Sequence, residues 1–356
     1  MKAFIYGAGV RGKRIIAKWG GTAYDEILGI YDEKKTGELM GVPISKYREG
    51  KRDVPVVISL GDLKLAMDIE KNLRDAGYQD IYWYRENPYN DTLSGQLEPL
   101  GTWGEAVLHQ AEMHISDACN LNCRGCTHFA PLFHSIDADM ESRLEDVRTL
   151  SRKVSHIIEF DILGGEPFLN PDVGIYAEEI RKILPKTHIN IVTNGLLLPR
   201  ISKDVFDSLR RNEIVISISE YQPTHEIMDE LTDRLEAFGV KYNVRPMAEK
   251  NIFNKPIELH PSGKYPLKCI SNGCTTIYKG KICRCPTLMY AFKFNETFGA
   301  HLPTEGILNL DDAPEGEALL EKMKAPVPLC AHCVENLIPW GRCGGAPMVE
   351  DFAATD

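Results

Sequence analysis

The sequence is short of several features that would fix its class at once. No apolar run in its 356 residues approaches the roughly 18 needed to cross a membrane. Its opening, Met1–Gly9, has neither the basic leader nor the long apolar segment of a secretory signal. These absences predict a cytoplasmic protein with no membrane partner. Positive charge is also in deficit: 41 Lys and Arg stand against 51 Asp and Glu, a formal net charge of −10. Phosphate-backbone binding relies on clustered cations, so nucleic acid is not an expected partner. Internal repeats are absent, which argues against a solenoid.

What the chain does have is ten cysteines. A chain of this length can bury a sizeable core without staples. In a reducing compartment, clustered cysteines point to metal or redox chemistry rather than to disulfides. Hydrophobic residues at 43% and charged residues at 26% are otherwise ordinary for a globular protein.

Residues 1–87 alternate strand and helix, with strands at Ala3–Tyr6, Ile27–Tyr31, Val56–Leu60 and Ile81–Tyr84 and helices at Lys13–Trp19 and Leu63–Ala76. Such alternation predicts a parallel sheet covered by helices. Residues 88–108, rich in Pro, Gly and Asn, read as a linker. A second alternation over 109–255 places strands at Glu112–Ser116, Glu159–Leu163, Ile189–Thr193, Ile214–Ser219 and Lys241–Val244. Leu144–Val154 and His225–Phe238 between them have helical periodicity. From 256 to 356 the regularity fades, and seven of the ten cysteines fall there.

Cys119, Cys123 and Cys126 follow a predicted strand in the spacing C-x3-C-x2-C. A loop there can wrap three thiolates around three irons of a [4Fe–4S] cube, leaving the fourth iron open to a small-molecule chelator. A structural zinc site would want four closed tetrahedral ligands instead. About forty residues later, Gly164-Gly165-Glu166-Pro167 ends a predicted strand. Asn194 and the pair Ser217 and Ser219 lie at the ends of the next two, where the open mouth of a barrel binds ligands.

This combination resembles the radical S-adenosylmethionine (SAM) superfamily. The resemblance implies that SAM chelates the open iron and is split by one electron to a 5′-deoxyadenosyl radical, which takes hydrogen from substrate. It implies that the Gly164–Pro167 motif contacts the methionine amino group, and that Asn194, Ser217 and Ser219 line the carboxylate and ribose. A one-electron donor such as flavodoxin or ferredoxin is the implied partner. Two departures stand out: Gly125 occupies a position often aromatic in the family, and no adenine-contacting motif is recognisable at Val244–Met247.

The later cysteines resemble the SPASM or twitch extension of that superfamily. The resemblance implies a second, auxiliary [4Fe–4S] cluster on Cys269, Cys285, Cys330 and Cys333, with zinc on the same four thiolates as the alternative. Cys269 to Cys285 would form a small hairpin, and Pro339-Trp340 would pack over that site. Cys274, Cys283 and Cys343 remain as alternates or free thiols.

Gly7-x-Gly9-x-x-Gly12 lies between a strand and a helix, with Asp32 ending the next strand. Backbone amides there can cradle a phosphate, and Asp32 can reach a ribose hydroxyl. The short domain resembles Rossmann-like modules fused to enzymes of surface-sugar and nucleotide-sugar biosynthesis. A bound nucleotide and a purely structural module are both open readings.

The expected fold is therefore α/β: a Rossmann-like domain over 1–87, a linker over 88–108, a partial (β/α)6 barrel over 109–255 and a cysteine-rich auxiliary domain over 256–356. The expected function is a radical SAM oxidoreductase or epimerase acting on a small, carbohydrate-like or nucleotide-linked alcohol. Epimerisation needs a hydrogen donor, for which Cys274 or Cys343 could serve. A maturase of ribosomal peptides and a non-catalytic iron–sulfur or nucleotide sensor are the alternatives. His114 and His128, beside the triad, are candidates for proton transfer.

Overall fold

A computed structural model describes residues 1–20, 25–85, 97–136, 139–247, 251–261, 269 and 274–354. The chain divides into two compact units, Met1–Gly104 and Glu105–Asp356.

In the first unit, the strands are β1 (Lys2–Tyr6), β2 (Glu26–Tyr31), β3 (Gly37–Leu39), β4 (Val42–Ser45), β5 (Val56–Ile58), β6 (Ile81–Tyr84) and β7 (Leu97–Glu98). They form one sheet in the order β3-β4-β2-β1-β5-β6-β7. The five central strands are parallel, and β3 and β7 close the edges antiparallel. Helix α1 (Val10–Trp19) buries Ile15, Ile16 and Trp19 with Ile5 and Ile30 of the sheet. Helix α2 (Leu63–Asp75) starts where the Asp62 side chain accepts the Leu65 amide at 3.0 Å, satisfying one of the orphan donors of the first turn. The stretch read as a linker thus holds β7 and a short turn at Leu100–Thr102 of this unit, and its last residues begin the second unit.

The second unit is built on parallel strands β8 (Val107–Ser116), β9 (His156–Gly164), β10 (His188–Thr193), β11 (Val215–Ser219) and β12 (Tyr242–Arg245). They pair in sequence order, with helices α3 (Met140–Lys153), α4 (Val173–Ile183), α5 (Lys203–Arg211), α6 (Gln222–His225) and α7 (Met228–Ala237) in the connections. Each strand alternates. Ala111, Met113, Phe160, Ile162, Ile191 and Ile216 enter the apolar core shared with the helices. The residues between them, such as Glu112, Asp161 and Ser217, take the opposite face.

The remaining strands are β13 (Ile252–Glu258), β14 (Thr275–Tyr278), β15 (Lys281–Cys283), β16 (Leu308–Asn309), β17 (Cys333–Pro339) and β18 (Ala353–Ala354). A hairpin was expected in a separate C-terminal domain, but β14 and β15 join the barrel sheet instead. β14 pairs parallel with β8, giving the order β12-β11-β10-β9-β8-β14-β15-β16. The cause is the free edge of β8, which the fully buried Thr275–Tyr278 strand covers. The sixth parallel strand therefore stands beside the first, not beyond the fifth. β13, β17 and β18 make a small sheet of their own. Among the described residues, no helix is long and apolar enough to cross a membrane.

Candidate active site

The cysteine loop starts where β8 ends. Gly165 donates its amide to Ser116 O at 2.8 Å and Glu166 to Ala118 O at 2.9 Å, so the end of β9 runs directly against this loop. That approach explains both glycines. A Cβ on Gly164 would stand 2.0 Å from Ser116 O, and one on Gly165 would stand 2.3 Å from Ala118 O. Gly125 has φ +69°, the left-handed region that favours glycine, and its amide reaches Asp351 O at 2.7 Å. The departure at this position is thus a backbone requirement.

Cys119, Cys123 and Cys126 line a single cavity of about 540 Å³ together with Gly164, Gly165 and Asn194. Donors are aimed at their sulfurs. The Leu121 amide is 3.4 Å from Cys119 Sγ, Asn194 Nδ2 is 3.9 Å from the same atom, and the Trp340 indole N–H is 3.2 Å from Cys123 Sγ. Burial pushes the Cys119 thiol up to about 12 and Cys123 higher still. For Cys126 the burial penalty is outweighed, chiefly by the His128 imidazole, and its thiol falls below the ordinary value. Buried thiols furnished with N–H donors suit thiolates stabilised by metal. Among the described residues no three His, Cys, Asp or Glu side chains are gathered as ligands of one ion. Ligands of a cube each bind a different corner and stand farther apart than that.

Glu166, expected as a SAM contact, is fully buried. Its carboxylate accepts Thr193 Oγ1 at 2.7 Å, the Asn194 amide at 2.9 Å and the Phe168 amide at 3.1 Å. Burial outweighs these bonds and raises its pKa to about 7. Glu166 therefore fixes the Thr193-Asn194 turn, and Asn194 presents itself to the cavity. Pro167 opens the short turn that follows. The Ser217 hydroxyl donates to Asn243 Oδ1 at 2.8 Å, and Ser219 lines the cavity.

Deeper in the cavity lies a row of polar groups that the motif reading missed. Glu112 faces Asp161 in register across β8 and β9, with Thr276 beyond Glu112 on β14. Asp161 accepts Gln110 Nε2 at 2.6 Å and Asn190 Nδ2 at 2.9 Å. Glu112 accepts Thr276 Oγ1 at 2.7 Å and pairs with His128 Nε2 at 3.3 Å. Burial, with Glu159 and Glu112 close by, lifts Asp161 to about 7. His128 rises to about 10: burial opposes this, and the bonds to Cys126 and Glu112 prevail. Arg245 adds a cation and Cys274 a thiol to the same wall. Parallel strands covered on both faces usually read as continuous apolar runs. Gln110, Glu112 and His114 on one strand and Glu159 and Asp161 on the next were the available signal.

His114 is buried beneath this wall, 3.1 Å from Asp117 Oδ1 and stacked on Tyr290 at 4.2 Å between ring centroids. Desolvation lowers its pKa to about 4, so it is neutral.

The later cysteines separate by place. The thiols of Cys285 and Cys333 each lie within electrostatic reach of Cys269 and Cys330. Cys283 is buried and donates to Cys285 O at 3.2 Å. Cys343 couples to Cys126 and Asp351, and Trp340 bonds Cys123, so both sit at the first cysteine loop. The expectation that Trp340 packs over the auxiliary cysteines is corrected accordingly. Residues 262–268 and 270–273, within the expected hairpin, lie outside the described residues.

In the first unit, Asp32 is engaged by its own loop and by the glycine loop. Its carboxylate accepts the Ala8 amide at 2.9 Å, Lys34 at 2.9 Å and Lys35 at 2.8 Å. Burial opposes ionisation, but these amides hold its pKa below the ordinary value. Gly12 is required because a Cβ would stand 2.2 Å from Gly7 O; Gly9 faces open space.

A parallel sheet with three thiols at the C-terminal end of its first strand and a polar inner face defines a cofactor-holding α/β barrel. Residues 113–241 match the model of the Radical SAM superfamily. The superfamily implies a [4Fe–4S] cluster and SAM as cofactors, and the triad fits them. Among curated relatives, the GTP 3′,8-cyclase of Staphylococcus carnosus is 23% identical over 160 residues, covering 41% of this chain and 47% of its own. That of Microcystis aeruginosa is 30% identical over 114 residues, covering 31% and 34%. The chain thus spans less than half the length of these relatives. Among solved structures, anSMEcpe with bound AdoMet and a Cp18Cys peptide aligns at 20% identity and a TM-score of 0.30, covering 38% of this chain and 42% of that one. BtrN with AdoMet and 2-DOIA aligns at 12% and 0.36, covering 65% and 94%. Alignments at that level do not establish a common fold.

Proposed function

We propose that the chain is a radical SAM enzyme that abstracts hydrogen from a small, hydroxyl-rich substrate and dehydrogenates or epimerises it. The observation that carries this reading is the polar wall of Glu112, Asp161, His128 and Arg245, which shares one cavity with the three thiols. A cavity of about 540 Å³ suits a small ligand beside a cofactor. Convergent carboxylates, an imidazole and a guanidinium are the groups that orient hydroxyls. A peptide maturase would gain little from such a wall, and a sensor needs no substrate wall at all. The relatives named for acting on GTP share only a portion of this chain, so the nucleotide does not carry over with the chemistry.

Cys119, Cys123 and Cys126 would hold the cluster, and Asn194, Ser219 and the Gly164-Gly165 backbone would hold SAM. Bound there, the cluster supplies the electron that splits SAM to the hydrogen-abstracting radical. Asp161, poised near neutrality, is the group on this wall that can take an alcohol proton. His128 stands 3.3 Å from Glu112 and orients that carboxylate. Cys269, Cys285, Cys330 and Cys333 are the set proposed for the auxiliary cluster. Of the two free thiols considered as hydrogen donors, only Cys274 lines the cavity among the described residues. At the glycine loop of the first unit, the Asp32 carboxylate is taken up by three backbone amides, which favours a structural role for that loop.

The test is 5′-deoxyadenosine formation by anaerobically reconstituted protein with SAM and dithionite, beside a Cys123→Ala control. Wild-type turnover stimulated by sugars or polyols is expected. Stimulation by peptides alone would overturn the substrate class, and no turnover with any of them would favour the sensor.

A further inference from the structure

The C-terminal stretch after β17 lies along the cysteine loop as a strap. Arg124 donates its amide to Gly341 O at 2.9 Å, Cys343 to Asn122 O at 2.8 Å, and Gly125 to Asp351 O at 2.7 Å. Cys123 forms a backbone bridge with Arg342. Within this strap the Trp340 indole N–H stands 3.2 Å from Cys123 Sγ. The ring is fixed on two sides: its amide reaches Asn251 O at 2.7 Å, and its face stacks on Tyr221 at 5.5 Å and 26°.

We infer that Trp340 is a positioning residue that tunes the [4Fe–4S] cluster at the triad, raising its reduction potential by donating to the Cys123 sulfur. This rests on the triad holding a cluster. A reduced cluster carries one more negative charge than the oxidised one, so an N–H aimed at a ligand sulfur stabilises the reduced form more. The donor is aromatic, neutral over the whole working pH range, and held by packing. Its effect is therefore a fixed offset, independent of pH. The same residue faces Tyr221, which lines the cavity, so the strap couples the cluster to the pocket wall.

The experiment is a redox titration of reconstituted wild type, Trp340→Phe, Trp340→His and Tyr221→Leu, followed by the reduced-cluster signal that SAM perturbs, with iron counted in each. Trp340→Phe should keep its iron, and its reduced-to-oxidised ratio at the wild-type midpoint should fall about tenfold, equivalent to 59 mV for one electron. Trp340→His restores a ring N–H and should recover part of that fall. Tyr221→Leu leaves the indole unsupported and should shift the ratio the same way by a smaller factor. A fully loaded Trp340→Phe with an unmoved midpoint would overturn the proposal; if that variant does not load, an unmoved midpoint in fully loaded Tyr221→Leu does so. Wild type without any SAM-sensitive cluster signal would instead sink the reading of the triad.

Discussion

Replacing Glu166 with Ala separates a residue that touches SAM from one that builds the place where SAM sits. The substitution strips the acceptor from the Thr193 hydroxyl and from the Asn194 and Phe168 amides, all in a buried setting. A buried donor left without an acceptor costs about 1–3 kcal/mol. Three of them, with some relaxation of the turn, amount to about 3–6 kcal/mol. Relief of burying a carboxyl whose pKa is lifted to about 7 offsets part of that. A net loss of about 3 kcal/mol lowers the melting temperature of a unit this size by roughly 10 °C. Loss of the turn also lets Asn194 drift, so SAM affinity should fall at least tenfold while both sets of irons remain. Glu166→Gln keeps the shape but sets an NH2 against a backbone donor, so it should fall between. The assays are thermal melts of anaerobic protein and equilibrium dialysis with labelled SAM. An Ala variant with wild-type melting temperature and wild-type affinity would refute the argument.

Three other outcomes are expected. Replacing Cys119, Cys123 and Cys126 together with Ala should remove about four irons and leave the second set, as read by iron analysis; unchanged iron contradicts the triad. Gly165→Ala forces a Cβ to 2.3 Å from Ala118 O, against backbone that cannot yield, so the variant should lose iron from the triad while circular dichroism still reports a folded chain. His114 has a folded pKa of about 4 against an ordinary 6.5, so the unfolded chain binds its proton first. Its contribution is complete above pH 6.5 and is lost as pH falls towards 4, about 3 kcal/mol in all at 1.36 kcal/mol per unit. Denaturant titrations at pH 7 and pH 4.5 should show that loss, and an identical acid slope in His114→Phe would assign it elsewhere.

Many strands of the two large sheets were legible because they are apolar runs rich in β-branched and aromatic residues and bounded by polar ones. Ile27–Tyr31, Ile81–Tyr84 and Ile189–Thr193 agree with the observed strands to within a residue. The site was legible where chemistry is local. The three cysteines and the two glycines are held within single loops, and motif spacing reaches that far. What escaped was set by long-range pairing. Whether Glu112 meets Asp161 depends on register between two strands. Nothing near Trp340 in sequence says that its indole ends on Cys123. The bonds that bury Glu166 against Thr193 and Asn194 were equally out of reach, because they depend on how the end of β9 meets the end of β10. Nor did the sequence show that Asp32 accepts amides from two loops, Ala8 of the glycine loop and Lys34 and Lys35 of its own.

The pairing of β14 with β8 has a consequence for how the protein is made. Thr276 bonds Glu112 across 164 residues of chain. At ribosomal speeds of about 5–20 residues per second, roughly 8–30 s separate synthesis of the two strands. For that interval β8 is an open edge, and the thiols of the triad are nascent-chain thiols without their cover. Trp340, Gly341 and Asp351, which close the cysteine loop, emerge later still. Iron delivered before release would meet a half-built cradle. A cluster held by the triad would therefore wait for completion of the chain, and a ribosome stalled before residue 275 would leave an edge disposed to aggregate.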